Sequence, residues 1–212
     1  CLAQTTSIRM TDLSCPQCGT AQAPRFRAAK MVTCPSCGTT LFLDDQAARL
    51  AGDQGVLHEL PAPIRLGEEF RHGPIRLTPL GFLRYDYGPG TWDEYWCIDP
   101  KGEGIWLSVD EGEMVLQAPI PDLHAPRTSP HLRLGHLISF QGLDWAVQEW
   151  GEARLSGWRG ELPFAARLGE RHRYLNCARG PRLLSAELHE DGARWFLGQW
   201  LDPYDIRKRT VA

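Results

Sequence analysis

Two short stretches, CPQCG at residues 15–19 and CPSCG at 34–38, carry the plainest chemistry in the chain. Cys15 and Cys18 form one C-x2-C pair, Cys34 and Cys37 a second, with fifteen residues between the pairs. Two intervening residues let both thiolates of a tight turn reach one ion. The Pro fixes φ on entry, and the Gly after the second Cys permits a positive φ where the chain folds back. Four thiolates suit a tetrahedral Zn²⁺ and leave no open coordination position, so the expected cofactor is one structural zinc ion that holds residues 13–43 folded as a ribbon. Two disulfides or a rubredoxin-like iron are the alternatives, and paired CPxCG turns are poor geometry for bridging.

Between the knuckles lie Arg25, Phe26, Arg27 and Lys30, with no acid among residues 20–33. Basic residues beside an aromatic can grip nucleic acid. Three charges are few, and a solvated hairpin with its aromatic packed on the knuckle is the simpler reading.

A second suggestive stretch is TWDEYW at 91–96. Adjacent acids among aromatics can form a catalytic pair. On a strand, however, Trp92, Glu94 and Trp96 share one face and Asp93 and Tyr95 the other, so the two carboxylates point apart. The stretch reads as the returning arm of a hairpin whose outgoing arm is FLRYDY, and Trp92, Glu94 and Trp96 remain a candidate ligand or partner surface. No Walker loop, G-x-G-x-x-G, G-x-S-x-G or H-E-x-x-H occurs in the sequence. Ser108 and Ser185 sit at matching places without an identifiable base, which suggests a turn role. His131 and His136 flank a strand start, and Cys97 and Cys177 lie in apolar runs, where burial leaves thiols inert. No catalytic constellation emerges, so the chain is read as a non-enzyme.

The elements that must position these residues are short strands. Residues 64–118 and 131–208 open with the similar runs IRLG and LRLG and continue as five or six strand-like runs between turn signals. The expected fold is therefore mainly β: the zinc ribbon, then two small antiparallel barrel-like, SH3-like modules in tandem. Residues 44–63 read as a short helix and linker, 119–130 as a Pro-rich linker, and 1–12 as a disordered or non-native N-terminus.

The 212 residues carry a formal net charge of −3, which gives no broad field for nucleic acid or membrane. Residues 58–113 contain 11 acids and 5 bases, so the first module suits a basic partner or a polycation. No apolar run approaches the roughly 20 residues of a membrane span. Paired cysteines of this type favour a reducing, cytoplasmic setting; a lipid-anchored chain with Cys1 as its modified first residue is the alternative.

The run LGFLRYDYGPGTWDEYWCIDPKGEGIWLSVDEGEMVL (80–116) resembles the bacterial domain-of-unknown-function family 4178, on Trp92, Glu94, Tyr95, Trp106, Leu107, Ser108 and Gly112. GELPF and LLSAEL in the second module fit the same pattern. The resemblance implies a CPxCG ribbon followed by two tandem modules. It also implies an accessory role near a spermidine-synthase-like enzyme and a small membrane protein. The expected function is a non-enzymatic zinc-binding adaptor that presents β-modules to a protein partner. The alternatives are a nucleic-acid-associated ribbon protein and a polyamine binder with its pocket between the modules; the last requires carboxylates gathered in one cleft.

Overall fold

A computed structural model describes residues 13–44, 47–57, 64–126, 133–190 and 192–208. Cys1, the rest of the expected N-terminal segment, His131 and parts of both linkers, 45–46, 58–63 and 127–130, lie outside them. The described chain is almost entirely antiparallel β, as expected from its short alternating runs.

Three strands, β1 (Met31–Thr33), β2 (Thr40–Leu43) and β3 (Ala48–Leu50), form the sheet of the N-terminal unit. The helix expected over 44–57 is not formed among the described residues 47–57. Strand β3 pairs with β2 there, because Leu50 stands opposite Leu41 and the ribbon gains a third strand.

The first repeat runs through β4 (Phe70–His72), β5 (Ile75–Asp86), β6 (Thr91–Ile98), β7 (Gly104–Asp110) and β8 (Glu113–Ile120). The second runs through β9 (Leu137–Phe140), β10 (Leu143–Gly160), β11 (Arg171–Arg179), β12 (Arg182–His189) and β13 (Gly192–Leu201). A further strand, β14 (Ile206–Lys208), returns to pair with β4, so residues 206–208 belong structurally to the first repeat and not to the second module. Strand β8 likewise runs two residues past the expected module end.

The two repeats share one sheet. β8 pairs with β13 and β5 pairs with β10, so the order β5-β6-β7-β8-β13-β12-β11-β10 closes into a ring. Each repeat keeps a core of its own on the outer face of that ring. Phe70, Phe82, Tyr95, Cys97 and Leu107 fill the first, and Trp145, Val147, Leu175, Cys177 and Trp195 the second. The inner faces of the two repeats look at each other. This explains β5, where every residue from Leu80 to Tyr85 is buried: Phe82 faces the repeat's own core and Leu83 and Tyr85 face the ring interior.

Two irregularities let β10 serve both surfaces. Its register shifts between Val147 and Glu149, which turns Glu149 inward while Trp145 and Val147 stay in the outer core. A second shift between Leu155 and Gly157 bends the strand onto β5. The repeats are related by an approximate two-fold. Ser108 stands opposite Glu94 and Val115, and Ser185 stands opposite Asn176 and Phe196. By the same pairing Gln117 corresponds to Gly198, and these two residues face each other across β8 and β13.

One end of the ring is plugged by the ribbon. Met31 pairs with Leu162, exchanging the hydrogen bonds Leu162 N to Met31 O (2.9 Å) and Met31 N to Leu162 O (3.3 Å). The Glu161 carboxylate accepts the Arg25 and Phe26 N–H groups at 3.0 and 2.8 Å. Met31, Leu162 and Trp158 are wholly buried together with Trp96 and Trp106, and side chains of this size contribute about 1.5–3 kcal/mol each on burial.

Beside this plug the seam β5–β10 ends at Gly81 opposite Gly160. Gly160 has φ +77°, and a Cβ there would lie 2.1 Å from the Leu80 carbonyl oxygen. Gly160→Ala is expected to destabilise the fold by about 3 kcal/mol or more. Gly67→Ala, at φ +81° with open space around it, isolates the backbone cost of about 1–2 kcal/mol. Urea unfolding of the two variants measures the difference.

Candidate functional site

Two places in this fold concentrate chemistry. The first is the pair of knuckles. Gly19 N donates to Cys15 O at 2.8 Å and Gly38 N to Cys34 O at 2.9 Å, and both glycines have φ +73°. Each turn is thus closed by the conformation that its Gly was expected to supply. Cys15 Sγ and Cys37 Sγ are 3.8 Å apart, Cys18 Sγ and Cys34 Sγ 3.7 Å, and all four sulfurs lie within 4.8 Å of one another. A tetrahedral ion with metal–sulfur bonds of about 2.3 Å needs sulfurs about 3.8 Å apart. These distances are far beyond a disulfide bond, and the four thiols are free. The set could hold one metal ion. The Gln22 amide, almost wholly buried, donates to Cys34 Sγ at 3.4 Å and orients the site from behind.

The residues between the knuckles divide. Arg25, Arg27 and Lys30 are exposed. Phe26 is half-buried with its ring edge-on to Trp96 at 5.2 Å, so it serves the plug.

The second place is the ring interior beyond the plug, a cavity of about 140 Å³ lined by both repeats. The first repeat sends in Trp92 and Glu94 from β6, Ser108 and Asp110 from β7, and Glu113 and Gln117 from β8. The second sends in Glu149 from β10, His172 and Tyr174 from β11, Ser185 and Glu187 from β12, and Phe196 and Trp200 from β13. The lining holds five carboxylates and no Lys or Arg.

The alternation of β6 places its side chains as the sequence requires. Asp93 faces outward in a bidentate pair with Arg84, at 2.7 and 2.8 Å. Glu94 faces inward, and Trp92 Nε1 donates to it at 3.2 Å. Trp96 points inward too, but it lies under Phe26 in the plug and does not line the cavity. Trp92 anchors an aromatic wall, with Tyr85 stacked at 5.1 Å and Tyr174 edge-on at 5.1 Å from the opposite repeat.

Two acids face one another in the interior with opposite fates. Burial pushes the Glu94 carboxyl up to about 8, and the negative charge of Glu187 adds to the shift. Burial acts on Glu187 as well, but His189 (3.3 Å) and Arg194 (3.3 Å) outweigh it and hold that carboxyl below its ordinary range. Burial lowers the His172 imidazole below its ordinary range. Towards the open side, Asp110 is raised by burial and by Glu111, Glu149 and Glu113. Glu149 accepts hydrogen bonds from Tyr174 Oη (2.9 Å) and Asn176 Nδ2 (3.0 Å).

Ser108 and Ser185 do not serve turns. Both stand in mid-strand and face the cavity, where Ser185 Oγ donates to Gln117 Oε1 at 2.8 Å. Their matching placement was a trace of the two-fold. Glu149, Glu187, Asp110 and His172 were not singled out in sequence, because alternation shows which residues share a face and not which face of the other repeat lies opposite.

Ribbon and ring together define a β-rich, two-repeat protein with an acidic interior and a four-cysteine cluster that could hold a metal ion. Residues 65–203 match the family described as Domain of unknown function (DUF4178), and the chain belongs to that family. No curated protein and no solved structure matches it. Among the described residues no helix is long and apolar enough to cross a membrane.

Because the folded chain keeps on Glu94 a proton that the unfolded chain has lost, stability from this group is full below about 4.5. It is lost as pH rises towards about 8. Glu94→Gln is expected to gain on the parent chain across that window, as read from urea midpoints at about pH 5 and about pH 8.5. At the knuckles, Cys34→Ser is expected to weaken binding of added Zn²⁺ or Co²⁺ by the four-cysteine set, and a red shift of tryptophan emission would report Trp96 coming out from under Phe26.

Proposed function

We propose that the protein binds a small organic cation, an amine, in the cavity between its repeats, and that its ribbon carries one structural zinc ion. The observation that carries the first reading is the cavity lining. Five carboxylates from both repeats, together with the rings of Trp92, Tyr174, Phe196 and Trp200, face one space with no Lys or Arg among them. Ammonium groups are stabilised both by carboxylates in a low-dielectric enclosure and by aromatic faces. This is the gathering of acids that a polyamine or other amine binder requires. The four-thiolate set supports zinc, whose closed tetrahedral coordination makes the ion structural.

The adaptor reading has less support. Of the eight tryptophans, only Trp150 is largely exposed, at 53%, whereas interface hot spots favour accessible tryptophans.

Titration calorimetry with 1-aminobutane, 1,4-diaminobutane, spermidine and neutral 1-butanol tests the proposal. Heat is expected from amines and not from the alcohol. Asp110→Asn and Glu149→Gln are each expected to weaken binding by about tenfold, the size of one charge-assisted contact. Absence of binding by every amine would overturn it. Metal analysis of the purified chain is expected to return one zinc per chain.

A further inference from the structure

The cavity holds polar groups that its own protein does not satisfy. Asp110 Oδ1 is buried without a hydrogen-bond partner. Gln117 is more than nine-tenths buried, and beyond its bond with Ser185 it has no side-chain partner among the described residues. The Ser185 hydroxyl can serve either end of that amide, so one polar atom of Gln117 is left for a ligand.

The two interior acids are also unequally provided for. Glu187 has Arg194 and His189 beside it. No cation among the described residues pairs with Glu94, which accepts a hydrogen bond from the Trp92 indole N–H. Glu94 lies between Leu83 and Ser108 on the neighbouring strands. Around it stand Tyr85 from β5, Asp110 from β7, Glu113 from β8, Glu149 from β10, His172 from β11 and Glu187 from β12, with His189 of β12 and Arg194 of β13 held against Glu187. An enclosed carboxylate without a cation carries a large desolvation cost, and taking up a proton removes it. A ligand's ammonium group can do the same.

Building on the cavity reading, we propose that Glu94 is the charge-selecting residue: its carboxyl gives up a proton to accept the ligand's ammonium group, so one proton leaves the cavity for each cation that enters. The balance is simple. The O–H bond of Glu94 breaks, the proton passes to solvent, and the carboxylate pairs with an ammonium group that keeps all its own protons. A neutral ligand of the same shape gains nothing from this exchange, which makes Glu94 the group that distinguishes an amine from an alcohol. Burial pushes this carboxyl to about 8, so the exchange operates around neutral pH.

The test is calorimetry of 1,4-diaminobutane binding to the full, metal-loaded chain in buffers of different ionisation enthalpy, from about pH 5.5 to about pH 9. The expected result is close to one proton released per ligand near pH 6.5, falling towards none near pH 9. Affinity should rise by about tenfold per pH unit below the Glu94 titration and level off above it. Glu94→Gln is expected to bind more weakly and to release no proton, whereas Glu94→Asp and His189→Asn keep the proton release. Binding by the parent chain without proton release, or full release in Glu94→Gln, overturns the proposal and leaves the cavity reading standing. No binding by the parent chain at any pH overturns both.

Discussion

The structure depends on one constraint: each repeat ends in strand edges that only the other repeat can satisfy. β5 and β8 bound the first four-stranded meander and β10 and β13 the second; the pairs β5–β10 and β8–β13 join them, and β4 and β9 cover the remaining stretches of β5 and β10. Unpaired edges invite aggregation, and closure removes them. Closure also creates an interior, which side chains must fill. Apolar residues fill one end, where the ribbon adds Met31 and Phe26. Acids and aromatic rings line the other.

The ribbon therefore does more than gather four cysteines. It lies over the β5–β10 seam, where Gly81 and Gly160 let the backbones of β5 and β10 approach, and where Gln54 O accepts from Trp158 N at 3.0 Å. Cysteine cluster, ribbon and seam form a continuous chain of support. The four sulfurs shape the knuckles, the knuckles hold β1, and β1 presents Met31 to Leu162.

Much of this was legible in sequence wherever a local rule was enough. C-x2-C spacing and the glycine after it gave the knuckles. Strict alternation in TWDEYW separated Asp93, bound outward to Arg84, from Glu94, turned inward. What was not legible is relational. Nothing in the local pattern of Leu183, Ser185 and Glu187 states that their inner face looks at Glu94 from another repeat. The bulge at Val147 and Glu149 also reverses the alternation of β10, so a period-two reading places Glu149 on the wrong side. Propensity failed at residues 44–57 because β2 offers an open edge, and pairing with it outweighs a weak helical preference.

The two-fold that relates the repeats has a consequence for descent. A half-length chain with one repeat has the geometry to close the same ring with its own copy, edge to equivalent edge. Such a homodimer would be held to strict symmetry, and at the axis any side chain must meet itself. Here the axial pair is Gln117 against Gly198, and a Cβ on Gly198 would lie 2.6 Å from Val115 Cγ1. Duplication within a single chain releases that restriction. One copy can carry a polar side chain at the centre of the ring while the other yields the space for it, and the same freedom lets Glu94 stand where its counterpart is Asn176.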